Sequence, residues 1–283
     1  DPIAIMASRT GASHVPKLRV LLSDPLRAGY RVGMLEQRFQ SRTDSPHRLF
    51  LYASGLTGSD IARGYYGNPF AETDGQLLEA EDPLAAAMKK LEEATEEFEW
   101  RDEIPAAEEL PNPFRYELAR VVATIASSEK FRQRALRNVP IDPSDSEELL
   151  DALRQVFNSH YGDFEDPDYR LYIKKVEDEA LYAGMLDLVL ALEDFEYALG
   201  QMEELPKGEW DLETPLGDIV ISTLNEDSQH VREKALLIVD MGGNDQYGLG
   251  NREKPIQSNI SIVFDDAGND EYTTLPGRGA SGL

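Results

Sequence analysis

Leu236-Leu237-Ile238-Val239-Asp240-Met241-Gly242-Gly243-Asn244-Asp245-Gln246-Tyr247 and Ser261-Ile262-Val263-Phe264-Asp265-Asp266-Ala267-Gly268-Asn269-Asp270-Glu271-Tyr272 are two copies of one pattern. Aligned at an offset of 25, they match at Asp240/Asp265, Gly243/Gly268, Asn244/Asn269, Asp245/Asp270 and Tyr247/Tyr272, each after an apolar triplet. A degenerate third copy lies 18 residues upstream, where Ile219-Val220-Ile221 aligns with Leu237-Ile238-Val239 and Asp227 with Asp245. The physics of one copy is a short apolar strand followed by a sharp turn, since Gly tolerates φ > 0 and Asp and Asn bond their own turns. The period is too long for a hairpin and suits one coil of a parallel stack.

The expected fold class is therefore α+β: a mostly helical N-terminal domain followed by the start of a parallel β-solenoid (β-helix). Ile219, Ile221, Leu237, Val239, Ile262 and Phe264 are expected to fill the solenoid interior. Val220, Ile238 and Val263 point the other way and are apolar too. Strands apolar on both faces are normally covered on both, so the helical part, or another subunit, is expected on that outer face.

Stacking sets Asp240 beside Asp265 and Asp245 beside Asp270. Equivalent residues of stacked strands lie about 4.8 Å apart, where two carboxylates repel by roughly 1 kcal/mol even in water. Two things would offset this. One is a cation, with Ca²⁺ the natural choice for oxygen ligands from Asp240, Asn244, Asp245, Asp265, Asn269 and Asp270. The other is the N–H groups of the turns.

Gly243-Asn244-Asp245-Gln246-Tyr247 and Gly268-Asn269-Asp270-Glu271-Tyr272 resemble the second half of the calcium-binding nonapeptide of RTX β-roll proteins. The spacing departs from that family, whose units recur every nine residues. Residues 214–283 are more similar to the tails of uncharacterised bacterial envelope proteins, which repeat an apolar strand followed by Asp-x-Gly-Gly-Asn/Asp-Asp-x-Tyr. That resemblance implies a β-solenoid in an extracytoplasmic setting (periplasmic, cell surface or secreted) and carries no activity. A stack cannot end on a bare strand edge without inviting pairing, so the repeats are expected to continue beyond Leu283 or to be completed by another chain.

Outward from the repeat, composition shifts at Pro206, which divides the chain into an expected irregular and helical part, 1–205, and the repeat part, 206–283. Leu77, Leu78, Leu84, Met88, Leu91 and Phe98 recur at helical spacing, as do Phe114, Leu118, Val121, Val122, Ile125 and Phe131. Ser144 and Glu147 have capping-box spacing before a third helix, and a fourth is expected from about Asp168 to about Glu204. Four such helices fit a bundle. Nearer the start, Leu26–Phe39 reads as helical despite Gly29 and Gly33, Arg48–Ala53 as β-compatible, and Gly64–Pro69 as turn chemistry.

The 283 residues suffice for a core without staples. There is no Cys, which excludes disulfides, thiol nucleophiles and Cys-ligated metals. The net charge of −25 disfavours nucleic acid. That charge is uneven: +4 over residues 1–70, −21 over 71–205 and −8 over 206–283, which suits a basic protein partner for the middle and an acidic neighbour for the start. No apolar run is long enough to span a bilayer. The four histidines, His14, His47, His160 and His230, lack helical metal spacing, and no nucleophile elbow or phosphate-binding Gly loop occurs. Tyr65, Tyr66 and Trp100 are candidates for a sugar-binding surface. The resulting expectation is a non-catalytic structural or docking subunit of the bacterial cell envelope, stabilised by Ca²⁺ and acting with other subunits of an envelope or membrane-associated assembly. The alternative is a carbohydrate-active enzyme or polysaccharide-binding protein that uses the solenoid face.

Overall fold

The computed structural model describes residues 28–41, 45–57, 71–95, 110–138, 176–214, 216–224, 226–232, 235–249 and 260–272. The third expected helix, the turn at Gly64–Pro69, and Tyr65, Tyr66 and Trp100 lie outside them. Among these residues six helices come first: α1 (Ala28–Gln40), α2 (Pro46–Thr57), α3 (Ala71–Glu79), α4 (Pro83–Thr95), α5 (Asn112–Leu136) and α6 (Asp178–Leu199). Seven short strands follow: β1 (Glu209–Leu212), β2 (Asp218–Ser222), β3 (Gln229–Arg232), β4 (Ala235–Asp240), β5 (Gln246–Leu249), β6 (Ile262–Asp265) and β7 (Glu271–Tyr272). No helix among the described residues is long and apolar enough to cross a membrane.

Local chemistry explains where the helices break. Asp82 stops what reads as one continuous helix. Its Oδ1 accepts the N–H groups of Leu84 (3.0 Å) and Ala85 (3.2 Å), and Pro83 occupies the first helical position. Arg48–Ala53 belongs to α2 and is not a strand. The stretch has no β-branched residue, Pro46 opens the helix, and Ser45 Oγ accepts the Arg48 N–H at 3.2 Å. Glu193 of α6 adds a second acceptor there, for Ser45 Oγ at 3.2 Å and for the His47 N–H.

α5 and α6 form the spine of the helical layer. Ser128 Oγ of α5 donates to the Gly184 carbonyl of α6 at 2.9 Å. A Cβ on Gly184 would stand 3.3 Å from Ser128 Cα and 3.1 Å from Phe131 Cβ, so this contact needs the small residue. Arg120 of α5 ties three helices together, reaching Asp74 of α3 (2.9 Å), Asp194 of α6 (3.1 Å) and Glu117 on its own helix (3.1 Å). These bonds outweigh burial and hold the guanidinium above its ordinary pKa.

Among the described residues the expected β-solenoid does not form. The strands make two small sheets, one mixed with order β1-β2-β4-β6 and one parallel with order β3-β5-β7. β1 pairs antiparallel with β2 and ends the larger sheet on that side. The face assigned to a closed interior is instead the docking face of the helices. Ile219, Ile221, Leu237 and Val239 share one buried cluster with Leu84, Met88, Leu91, Phe114, Leu118, Phe195 and Leu199, with Ile262 and Phe264 packed against it. Three rings bridge the layers: Phe114–Phe195 at 5.9 Å between centroids and Phe195–Phe264 at 5.4 Å. The opposite face, Val220, Ile238 and Val263, packs on Tyr247 of the smaller sheet. The helices do cover the sheet, but on the face opposite to the one expected. The larger apolar side chains, Phe264 and Leu237 among them, go to the larger core.

The pairing itself follows the repeat. β2, β4 and β6 run parallel, with Ile219, Leu237 and Ile262 level, and Ile221, Val239 and Phe264 level. In the smaller sheet Gln229, Gln246 and Glu271 are level, and His230, Tyr247 and Tyr272 are level.

Asp187 lies on the inward stripe of α6, between buried Gly184 and Ala191. Burial pushes its carboxyl up from 3.8 to about 6. A folded-state pKa above the unfolded one means that folding takes up a proton, so this group's stabilising contribution is complete below about pH 4 and is lost as pH rises through 6. Asp187→Asn is therefore expected to raise the urea midpoint at pH 7 and leave it nearly unchanged at pH 4. Urea melts at the two pH values check this.

Candidate functional site: a buried histidine and carboxylate cluster

The turns between β2 and β3, β4 and β5, and β6 and β7 lie side by side and exchange hydrogen bonds. Asp227 Oδ1 accepts the Asn244 N–H at 2.9 Å and its Nδ2 at 3.0 Å. Asn244 Oδ1 in turn accepts the Asn269 N–H at 3.1 Å. The next position bonds in the reverse direction. Asp245 Oδ1 accepts the Ser228 N–H at 2.6 Å, and Asp270 Oδ1 accepts the Asp245 N–H at 2.9 Å. Main-chain bonds complete each step, from Gln246 N–H to Ser228 O (3.0 Å) and from Glu271 N–H to Asp245 O (2.7 Å). The first turn is one residue longer than the alignment implies, so Asp227 is the counterpart of Asn244, and Ser228 that of Asp245.

The two repeated glycines follow from this closeness. Gly243 (φ +132°) and Gly268 (φ +156°) adopt backbone that disfavours a side chain. A Cβ on Gly243 would lie 2.5 Å from the Glu226 carbonyl, and one on Gly268 would lie 2.0 Å from the Gly243 carbonyl.

Of the six sequence-predicted ligands, the structure brings Asp240 and Asp245 together in one cluster, sets Asp265 beside Asp240 and Asp270, and leaves Asn244 and Asn269 outside. Asn244 and Asn269 are exposed along the turn ladder, and Asp270 Oδ1 is engaged by the Asp245 N–H. Asp265 Oδ2 accepts the Tyr272 hydroxyl at 2.9 Å. Burial first, then neighbouring Asp270 and Asp240, push the Asp265 carboxyl up, while the Tyr272 bond pulls it down. Tyr272 itself is pushed up to about 12 by burial and by Asp265.

Two participants were not singled out in the sequence, His230 and Ser228. His230 is 5% exposed, Asp240 is fully buried and Asp245 is 1% exposed. His230 Nε2 lies 2.6 Å from Asp240 Oδ2 and 3.1 Å from Ser228 Oγ, which also donates to Asp245 Oδ1 at 2.8 Å. The Gly242 N–H donates to Asp240 Oδ1 at 3.1 Å. The imidazole stacks on Tyr247 (5.2 Å, 19°), which stacks on Tyr272 (4.9 Å, 17°). The signal was the register: His230 precedes Tyr247 by 17 residues, the spacing that the longer first turn requires.

Ser228, His230 and Asp240 are not arranged as a nucleophile relay. A relay holds the hydroxyl and the carboxylate on opposite ring nitrogens, whereas here both approach Nε2. His230, Asp240 and Asp245 offer one nitrogen and two carboxylate oxygens within 4.8 Å of one another, a donor set able to hold a metal ion.

Gly243→Ala is expected to destabilise by about 2–3 kcal/mol, from φ strain and from crowding both Asp245 oxygens at 2.9 Å. Gly75→Ala, on a helix with nothing within 4 Å, is expected to stabilise by up to about 1 kcal/mol. Chemical denaturation of the two variants reads both. No protein-family model matches the chain, and searches of the curated proteins and of the solved structures found no similar chain.

Proposed function

We propose that this chain is a non-catalytic structural or docking subunit of a bacterial cell-envelope assembly, acting outside the cytoplasm among other protein subunits. The observation that carries this reading is the use made of the repeat's polar side chains. Asp227, Asn244, Asp245 and Asp270 each accept a backbone N–H from the neighbouring turn. Their chemistry thus goes into holding parallel strands level with one another, which yields a rigid platform. The net charge of −21 on residues 71–205 supports a basic partner, since a concentrated field of one sign steers and selects its opposite. The resemblance of the tail to envelope proteins supports the location.

The test is the native size of the chain. Affinity-tagged protein is extracted from its own envelope fraction with mild detergent, cross-linked and sized. The reading predicts a particle well above the 31.7 kDa of the chain. It should hold other protein subunits and dissociate as salt rises past the range where the Debye length falls below about 8 Å. A monomer at every ionic strength, or a cytoplasmic location, would contradict it.

A further inference from the structure

We propose that His230, Asp240 and Asp245 bind a divalent transition metal of the zinc class, through one imidazole nitrogen and two carboxylates. The inference is independent of the docking reading.

Three observations converge. The first is geometric. One donor atom from each residue lies within 4.8 Å of the other two. Ligands about 2.0–2.2 Å from a single ion stand roughly 3.3–3.6 Å apart in a tetrahedron, so only small side-chain shifts close the site. The three residues come from β3, the end of β4 and the turn that follows it; parallel pairing fixes His230 and Asp240, and hydrogen bonds to the neighbouring turn fix Asp245.

The second is an oxygen without a partner. Asp245 Oδ1 is fully engaged by Ser228, but Asp245 Oδ2 is sealed from solvent and makes no hydrogen bond. Leaving a buried charged acceptor unpaired costs more than leaving a neutral one so. Stable folds rarely carry such an atom without a partner, and a cation is the partner that a carboxylate oxygen in a dry pocket accepts best.

The third is the charge balance. The hydrogen-bond partners of Asp240 and Asp245 are Ser228, His230 and the Gly242 N–H. No Lys or Arg is among the partners of these two carboxylates. A divalent ion neutralises the pair. It would sit where His230 Nε2 and Asp240 Oδ2 face one another, joining the two donors through one ion. The Gly242 N–H on Asp240 Oδ1 would then orient that carboxylate from outside, as supporting hydrogen bonds do in metal sites.

The donor set selects the metal. Ca²⁺ takes six to eight oxygens and gains nothing from an imidazole, whereas one nitrogen and two carboxylates with a hydroxyl nearby suit four-coordinate Zn²⁺. The calcium site expected from the sequence drew on Asn244, Asn269 and Asp270. In the structure, backbone N–H groups occupy the side-chain oxygens of Asn244 and Asp270.

Titration calorimetry of chelator-treated full-length protein with ZnCl₂, and separately with CaCl₂, tests the proposal. The expected result is one Zn²⁺ per chain and a raised melting midpoint, with no response to Ca²⁺. His230→Gln should weaken Zn²⁺ binding by more than about 100-fold, beyond the 10–100-fold typical of an outer-sphere partner. Should that variant fail to fold, the Co²⁺ absorption spectrum of the unaltered protein serves in its place, a strong tetrahedral band being expected. Absence of Zn²⁺ binding, a Ca²⁺-induced rise exceeding that of Zn²⁺, unchanged affinity in His230→Gln, or a weak octahedral Co²⁺ spectrum would each overturn it.

Discussion

Each turn between a strand of the larger sheet and a strand of the smaller one is closed by side chains of the turns beside it. Position for position, Asp227 and Asn244 offer an oxygen forward to the next turn's N–H, while Asp245 and Asp270 offer one backward. The exchange is reciprocal, so the middle turn cannot shift without breaking bonds on both sides, nor either outer turn without breaking those to the middle one. A net contribution of about 1.5–3 kcal/mol for each bond to a charged acceptor makes this ladder comparable to several buried side chains. It also offsets the repulsion between Asp245 and Asp270, because the Asp245 N–H donates to Asp270 Oδ1, whereas Asp240 still pushes the Asp265 carboxyl up.

That ladder fixes the register, and the register fixes everything attached to the strands. Because β2, β4 and β6 are level, Ile219, Leu237 and Ile262 form one continuous row, as do Ile221, Val239 and Phe264, and the helices pack on both rows. Phe195 completes the join by inserting between Phe114 and Phe264. A slip of one residue would turn those rows away from the helices and replace them with Val220, Ile238 and Val263. The same register stacks His230, Tyr247 and Tyr272 and brings the imidazole to Asp240. The buried cluster is thus a by-product of strand pairing at one level and a potential site at the next.

The repeat made the pairing readable. Five identities after matched apolar triplets imply parallel neighbours, and Val239 does lie opposite Phe264. Positive φ at Gly243 was readable for the same reason. The closure was not. A pattern of strand and turn says that units lie side by side, but not whether they close into a coil, and the antiparallel β1 ends the sheet instead. Which face meets the helices was equally hidden, since both faces are apolar and only relative volume separates them. Asp82 dividing one helical stretch into α3 and α4 was present in the sequence as Asp-Pro but was outweighed by the periodicity around it. His230 escaped because its copy had lost the glycines and the Tyr that mark the other two.

Residue-resolved amide hydrogen exchange tests the ladder most directly. The N–H groups of Ser228, Asn244, Asp245 and Asn269 point at side-chain oxygens rather than at strand partners, so ordinary turn amides would exchange fast there. The account predicts protection on the scale of the β4 amides at all four, collapsing at Ser228 alone in Asp245→Ala. Exchange of these four at the rate of an open loop in the unaltered protein would contradict it.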